Sequence, residues 1–600
     1  MKTRQIMAGV VRVLGWLPGL RAVRSYRRAW LARDIVAGVV LSTLLVPQGM
    51  AYAELAGLPP ITGLYTSILC LLGYALCGPS RILVLGPDSS LGPMIAATIL
   101  PLAGADGDPE RAIALASMLA IIVGAIMVAG SVAKLGFVAD LISKPTMIGY
   151  MNGLALTILV GQLPKLFGFK IDAEGLIHEI AEFVKGLAHG EAVAAAATVG
   201  IGGIVVILVL QRWLPKLPAV LIMVVAAIAA TTVFSLKQHG VSLVGVLPKG
   251  FPPLTLPGIR LADLGPLFAG ALGIAVVSLA DTISTASAFA ARTGQDVHGN
   301  GEMAGIGVAN LAAGLFQGFP VSTSGSRTAV AERSGARSQL AGVTGAAVII
   351  VMIVLVPGLF RNLPQPALAA VVITASLSLA DIPGTVRLWR QRKAEFLLSV
   401  TAFAGVALLG VLPGIAVAVG LSILNVFRRA WWPYDTELGR VTGLPGYHDM
   451  HTYPDAQHLP GLVIYRFDAP LFFANATTFR DEMRRLAAAD PPPAWIVLAA
   501  EPVTDIDTTA ADVLEELDVA LNEQGTSLVF AELKDPVRRK IERYGLTRTI
   551  DPRHFFPTVE AAVAAFRGET GARWAAVVSS PSNHPSRGDP LPNQRGDPRS

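Results

Sequence analysis

The chain is short of cysteine and short of charge. Two cysteines, Cys70 and Cys77, occur in 600 residues. They lie in one apolar run, so they offer neither a disulfide framework nor a thiolate metal set. Asp, Glu, Lys and Arg make up 15% of the chain, against about 25% in a soluble domain. Acidic residues are missing altogether from residues 1–33, which carry Lys2, Arg4, Arg12, Arg21, Arg24, Arg27, Arg28 and Arg33. No G-x-x-x-x-G-K-[ST] loop is present, which argues against nucleotide-driven work. The glycines of Gly294–Gly301 follow an apolar segment and not a strand, and read as a loop. His448, His451 and His458 have no partner cysteines. Nothing in these patterns calls for an enzyme or a cofactor.

What the chain has in abundance is apolar surface. Hydrophobic residues make up 52% of it and the mean hydropathy is +0.56. Leu115–Val132, Ala192–Leu210, Val220–Phe234, Val343–Leu359 and Ala394–Leu412 approach the roughly 20 apolar residues that cross a hydrocarbon core. Helices buried in a large enzyme would be surrounded by charged amphipathic elements, which residues 34–430 lack. The region therefore reads as an α-helical polytopic membrane domain. The net charge of +5 does not indicate nucleic acid, because the basic residues are distributed as a bilayer requires. Arg81, Lys134, Arg212 with Lys216, Arg333 with Arg337, Arg387–Lys393 and Arg428/Arg429 can all lie on one side, with the acidic stretch Asp106–Glu110 on the other. The positive-inside rule then places the N-terminus in the cytoplasm and requires an even number of crossings, about fourteen. Residues 1–33 lack a small-residue cleavage site. With Trp16 and their basic face, they read as a cytoplasmic segment lying on the inner leaflet.

The membrane region divides into two halves, Asp34 to Leu236 and Leu261 to Phe427, with the same irregularity in each. Arg81–Gly86 is a short β-branched run before Pro87-Asp-Ser-Ser and the helix-like Leu91–Leu100; Gly318–Arg327 precedes a second short helix. A strand feeding a half-helix at matching places points to a 7+7 inverted repeat with two half-helices. A half-helix that starts inside a membrane leaves its first N–H groups free and carries partial positive charge there. Two such starts facing each other suit an anion. Packing kinks are the alternative for either break alone.

From Arg428 the character changes. Residues 431–460 read as a linker, with Trp431/Trp432 at the membrane boundary. Residues 461–568 read as a small α/β domain: strands Leu462–Tyr465, Trp495–Ala499 and Ser527–Ala531, helices Thr509–Glu523, Pro536–Tyr544 and Thr558–Phe566. Residues 569–600, rich in Ser, Pro, Asn, Gly and Arg, have the composition of a disordered tail.

Several stretches then carry a family resemblance. Pro47-Gln-Gly-Met-Ala-Tyr-Ala53, Gly57-Leu-Pro-Pro-Ile-Thr-Gly-Leu-Tyr65, Gly78-Pro-Ser-Arg81 and Gly86-Pro87 look like the signature of the SulP (sulfate permease) family. So do Phe319-Pro-Val-Ser-Thr-Ser-Gly-Ser-Arg-Thr328, Gly335-Ala-Arg and Leu340-Ala-Gly in the second half. The α/β domain is similar to a STAS domain, the fold of anti-sigma factor antagonists. The resemblance implies fourteen segments with core and gate domains, elevator-type exchange, commonly a homodimer, and a small anion such as sulfate, bicarbonate, chloride or a dicarboxylate. It also implies a cytoplasmic STAS domain that binds a regulator.

Site residues follow from the same matches. Gln48 and Tyr52, four apart on one helix face, match the family's first-segment substrate contacts. Ser89 and Ser90 at the first half-helix, and Ser324, Gly325, Ser326 and Arg327 at the second, would hold the anion; serine also caps helices. A charge in a span costs roughly 2.5–3.5 kcal/mol, so Arg327 needs a partner or a ligand. Asp281, with Thr285 one turn later, matches the sodium-ligand pair of the bicarbonate-transporting branch. That pair would hold Na+ or, with the carboxyl protonated, H+; its bland alternative is an ion pair between Asp281 and Arg327. Asp88 departs from the family pattern, being a carboxylate at the start of the first half-helix, either a cap turned away or a proton site. In Asp507-Thr-Thr-Ala510, Thr508 matches the serine that anti-sigma factor antagonists have phosphorylated, and is otherwise a helix cap. The competing readings are an uncoupled channel, a dicarboxylate transporter, a nucleobase carrier and a membrane-anchored scaffold.

Overall fold

The computed structural model describes residue 19 and residues 26–574, apart from 105–107, 142, 172, 174, 215–216 and 294–296. Trp16 and most of the basic N-terminal segment, Asp106, Lys216 and the chain from residue 575 lie outside the described residues. The chain divides into two compact units, residues 1–423 and 424–600.

The first unit is built of helices. In chain order they begin with α1 (Leu31–Leu55) and α2 (Pro60–Cys77), then a two-residue strand β1 (Leu85–Gly86) and the short α3 (Gly92–Ala103). Next come α4 (Pro109–Val132), α5 (Lys144–Phe167), α6 (Leu176–Ala188), α7 (Ala194–Trp213) and α8 (Ala219–Val233). The second series is α9 (Leu264–Thr293), α10 (Gly299–Leu315), strand β2 (Ser322–Thr323), the short α11 (Gly325–Arg333), α12 (Leu340–Leu355), α13 (Gln365–Leu379), α14 (Ile382–Gln391), α15 (Lys393–Leu409) and α16 (Val411–Trp431). Among the described residues eight helices are long and apolar enough to cross a membrane. Exposed Val205 and Val209 on α7 and Phe268 and Leu272 on α9 are what lipid contact asks of a span. The apolar run Ala394–Leu412, expected as one segment, is two helices. Gly410 stands between them at φ +92°, outside the helical region. Likewise Val343–Leu359 stops at Leu355, because Pro357 cannot continue the helix.

Strands β1 and β2 pair antiparallel, Leu85 opposite Thr323 and Gly86 opposite Ser322. The expected strand Arg81–Gly86 is thus only its last two residues. The short pair is anchored on every side. The Val84 N–H donates to Thr328 Oγ1 at 3.1 Å, and the Ser324 N–H donates to Val84 O at 3.1 Å. Asn310 on α10 accepts from the Val321 N–H at 2.9 Å, and Ser278 on α9 donates to Val321 O at 3.0 Å. These bonds satisfy the non-helical backbone internally, as a low-dielectric interior demands. Farther off, the fully buried Asp34 accepts from the N–H groups of Arg337 and Ser338 at 2.6 and 3.2 Å and from Ser338 Oγ at 2.7 Å. It ties the start of α1 to the start of α12.

The second unit is a six-stranded mixed sheet, in the order β4-β3-β5-β6-β7-β8. Its elements are β3 (Asp435–Arg440), β4 (Tyr447–Asp449), β5 (Leu462–Phe467), α17 (Ala476–Ala487), β6 (Trp495–Ala499), α18 (Thr508–Glu523), β7 (Ser527–Ala531), α19 (Asp535–Tyr544), β8 (Phe555–Phe556) and α20 (Val559–Thr570). The strands β5 to β8 run parallel; β3 is antiparallel to both β4 and β5. Alternation sorts the core: Ile496, Leu498 and Phe530 pack with Phe479, Leu514 and Ile541, while Trp495, Val497 and Val529 pack with Val563 and Phe566 on the other face. The segment 431–460, expected as a linker, supplies β3 and β4. Its strands are too short and charged to announce themselves, and they are held by backbone pairing to β5. Helix α17 was also not foreseen.

Candidate functional site: a cavity at the paired half-helices

A cavity of about 1090 Å³ lies against the β1–β2 pair. Gln48, Tyr52, Asp88, Ser89, Asp281, Thr285, Ser324, Gly325 and Ser326 all line it. Of the expected site residues in this unit, only Ser90 and Arg327 stand behind its wall, each 1% exposed. Gln48 and Tyr52 come from one face of α1, and Asp281 and Thr285 from successive turns of α9. The turn before α3 supplies Asp88 and Ser89, and the start of α11 supplies Ser324 to Ser326.

The two half-helix starts are built differently. Helix α11 begins at a capped end, with the Ser324 hydroxyl accepting from the Arg327 N–H at 3.5 Å and lying 3.1 Å from Ser326 Oγ. Helix α3 begins after Leu91 with no side-chain cap. The Asp88 carboxylate, expected as a cap turned away or a proton site, does not cap the helix. Its Oδ2 accepts from the Ser90 N–H at 3.0 Å and the Ser90 hydroxyl at 2.7 Å, folding the turn before the helix. Its Oδ1 accepts from Arg327 Nη2 at 3.4 Å. The ion pair considered between Asp281 and Arg327 is therefore made by Asp88, because strand pairing brings the two half-helix starts together. Asp281 Oδ2 instead accepts from the Ser90 hydroxyl at 3.2 Å.

Arg327 is a cation stored with spare capacity. Its Nε and Nη1 are buried with no hydrogen-bond partner among the described residues. Gly86 makes room for it: a Cβ there would lie 2.4 Å from Nη1. A buried guanidinium with one long contact is a poor structural element and a good anion receptor.

Sequence reasoning missed Thr323, which lines the cavity with its hydroxyl 2.8 Å from Thr282 Oγ1, and Ser284 on α9. It also missed the far wall: Met147 and Met151 of α5, and Thr374 and Ser378 of α13. Thr374 and Ser378 stand one turn apart, the only signal available. It is a weak one, since such hydroxyls also bond back to their own helix, as Thr374 does to Ala370 O at 2.9 Å.

In the second unit, Thr508 opens α18 with its side chain exposed. The helix cap considered for Thr508 is Asp507, whose Oδ1 accepts from the Ala510 N–H at 2.8 Å while Oδ2 accepts from the Phe473 N–H at 2.9 Å. A carboxylate one residue earlier reaches the free N–H groups better than the threonine hydroxyl does.

The comparisons with known proteins agree with this architecture. The sulfate permease family profile matches residues 31–402, and the STAS domain profile matches residues 453–562. A Mycobacterium tuberculosis protein named "Probable sulfate transporter Rv1739c" is 40% identical over 558 residues, covering 92% of this chain and 98% of its own length. The chloroplastic sulfate transporter 4.1 of Arabidopsis thaliana is 30% identical over 582 residues, covering 92% and 83%. Among solved structures, the murine Slc26a9 anion transporter in the inward-facing state superposes with a TM-score of 0.85 at 24% identity, covering 93% of this chain and 95% of that one. The transmembrane domain of the cyanobacterial bicarbonate transporter BicA gives 0.56 at 19% identity, covering 66% and 98%. The fold is thus that of a multi-pass helical membrane protein followed by a STAS domain, and the chain belongs to the sulfate permease family.

Proposed function

We propose that the protein carries small anions across a membrane by secondary-active transport, with an inorganic oxyanion, sulfate or bicarbonate, as substrate. The observation that carries this reading is Arg327: fully buried, with two donor nitrogens that have no hydrogen-bond partner among the described residues, at the start of a half-helix whose dipole adds positive potential. The names of the relatives, sulfate and bicarbonate transporters, fit the same chemistry. Gln48, Tyr52, Ser89, Ser324 and Ser326 would supply neutral donors around the anion. Asp281 and Thr285 would hold the coupling ion, H+ or Na+, since a passive anion path gains nothing from a carboxylate. An uncoupled anion channel and a dicarboxylate transporter are the competing readings. The two halves of the membrane unit would form a 7+7 inverted repeat working as an elevator, in a homodimer in the cell membrane. Both termini would face the cytoplasm, with the STAS domain, 461–568, open to a regulator and Thr508 a candidate phosphorylation site.

The test is uptake of labelled sulfate, bicarbonate and fumarate by the full chain in liposomes, with H+ and Na+ gradients imposed in turn. Gradient-driven uptake of one oxyanion is expected, lost on Asp281→Asn. Uptake indifferent to both gradients would identify a channel or uniporter.

A further inference from the structure

Helix α16 ends at Trp431, where its last carbonyl groups have no helical N–H to take them. Two of them are capped from α17. The Asn475 amide donates to Ala430 O at 3.3 Å, and the Thr478 hydroxyl donates to Trp431 O at 3.4 Å. Asn475 is fully buried and bonded on both sides: Nδ2 also donates to Pro470 O at 2.9 Å, and Oδ1 accepts from the Phe472 N–H at 3.0 Å. Those last two bonds would fold the turn 470–475 by themselves; the bond to Ala430 O fastens that turn to α16. On its other side the same turn is fastened to the start of α18. The Leu471 N–H donates to Asp505 O at 3.0 Å, the Asp507 N–H to Leu471 O at 3.2 Å, and the Phe473 N–H to Asp507 Oδ2 at 2.9 Å. One short turn thus joins the cap of α18, beside the exposed Thr508, to the end of a helix long and apolar enough to cross a membrane.

We infer that the turn 470–475 is a joint through which a negative charge at position 508 releases the end of α16. The electrostatics give the direction. One Asp507 carboxylate serves two N–H groups, capping α18 through Oδ1 and holding Phe473 through Oδ2. A second anion on the neighbouring residue repels that carboxylate and competes with it for the free N–H groups and the dipole of α18. Asp507 then lets go of Phe473, and the turn loses its anchor on the α18 side. The Asn475 amide no longer meets Ala430 O, and the last turn of α16 is left with uncapped carbonyls. Helix α16 is continuous from Val411 to Trp431, so a change at its end acts on one unbroken rod of hydrogen-bonded backbone. The inference rests on the regulatory reading of Thr508 above and supplies its route.

The test is hydrogen exchange of segments 428–434 and 471–475 in the full chain, with uptake of labelled sulfate, bicarbonate and fumarate into liposomes measured on the same proteins. Thr508→Glu is expected to speed exchange in both segments about fivefold, as the loss of one hydrogen bond in each would. Asn475→Ala should speed exchange of 428–434 to the same extent, and Thr508→Glu added to it should speed that segment no further. Uptake should change by one common factor in the two single variants and in the double. If Asn475→Ala does not fold, Thr478→Val, which removes the other cap at a half-buried site, takes its place. A Thr508→Glu effect absent from 428–434, or one that adds in full to that of Asn475→Ala, overturns the joint. The expected exchange pattern with uptake unchanged in every variant overturns its regulatory role. Wild type that takes up none of the three anions overturns the transport reading and leaves the exchange result to decide the joint.

Discussion

At the scale of single residues the protein keeps charge inside only where it does something. Arg327 and Asp88 meet across 239 positions of sequence, and Gly86 gives the guanidinium its space. The STAS domain holds a different buried charge. Asp518 on α18 is 2% exposed, and its hydrogen-bond donor is the Asn522 amide at 3.1 Å. Burial pushes its carboxyl up to about 6 from 3.8. The proton is therefore bound more tightly in the folded domain than in the unfolded chain. The contribution of this group is fully present below about pH 3.8, is lost as pH rises toward 6, and is absent above that. The loss is on the order of 2–3 kcal/mol. Asp518→Asn is expected to recover about 1–3 kcal/mol at pH 7.5 and to flatten this dependence. Hydrogen exchange of the α18 amides in the full chain, at pH 5 and 7.5, measures both effects; equal slopes for the two proteins would contradict them.

At the scale of elements, two helices differ from the spans. Helix α6 exposes Ile177, Ile180, Val184 and Leu187; α14 exposes Ile382, Val386 and Trp389. In each the exposed apolar residues recur at helical spacing on one side, the pattern of a helix lying in a bilayer surface. On α14 the exposed Arg387 and Arg390 flank that stripe, at the level where anionic headgroups would meet them. A cysteine at position 386, in a background with Cys70 and Cys77 replaced by alanine, should carry an environment-sensitive dye with blue-shifted emission in liposomes. The same dye at position 387 should emit as in water. Equal emission at the two sites would place α14 off the membrane.

At the scale of the whole molecule the proposed topology is directly testable. Fourteen crossings from a cytoplasmic N-terminus put the turn between α6 and α7 outside and the STAS domain inside. In intact cells a membrane-impermeant maleimide should modify Glu191→Cys and leave Thr508→Cys untouched until the membrane is opened. Reversed labelling would invert the topology.

Much of this architecture was legible in the sequence for a plain physical reason. A bilayer filters sequences severely, so apolar length, basic loop ends and Gly/Pro-marked breaks are local signals that survive without tertiary information. They determined the membrane class and the two interrupted segments, while the residues lining the cavity from α1, α9, α3 and α11 were singled out through the family resemblance. Local rules also located the strands and helices of residues 461–568 other than α17 and β8, where alternation and helical spacing are strong. What they could not decide was pairing. That Asp88 and not Asp281 holds Arg327, that Ser90 stands between two carboxylates, and that β3 and β4 extend the STAS sheet all depend on groups far apart in the chain. The antiparallel register of β1 on β2 alone sets which side chains meet at the half-helix starts, and a two-residue strand pair carries no readable period. The chemistry of the site is written in the sequence; which of its charges touch is decided only when the chain folds.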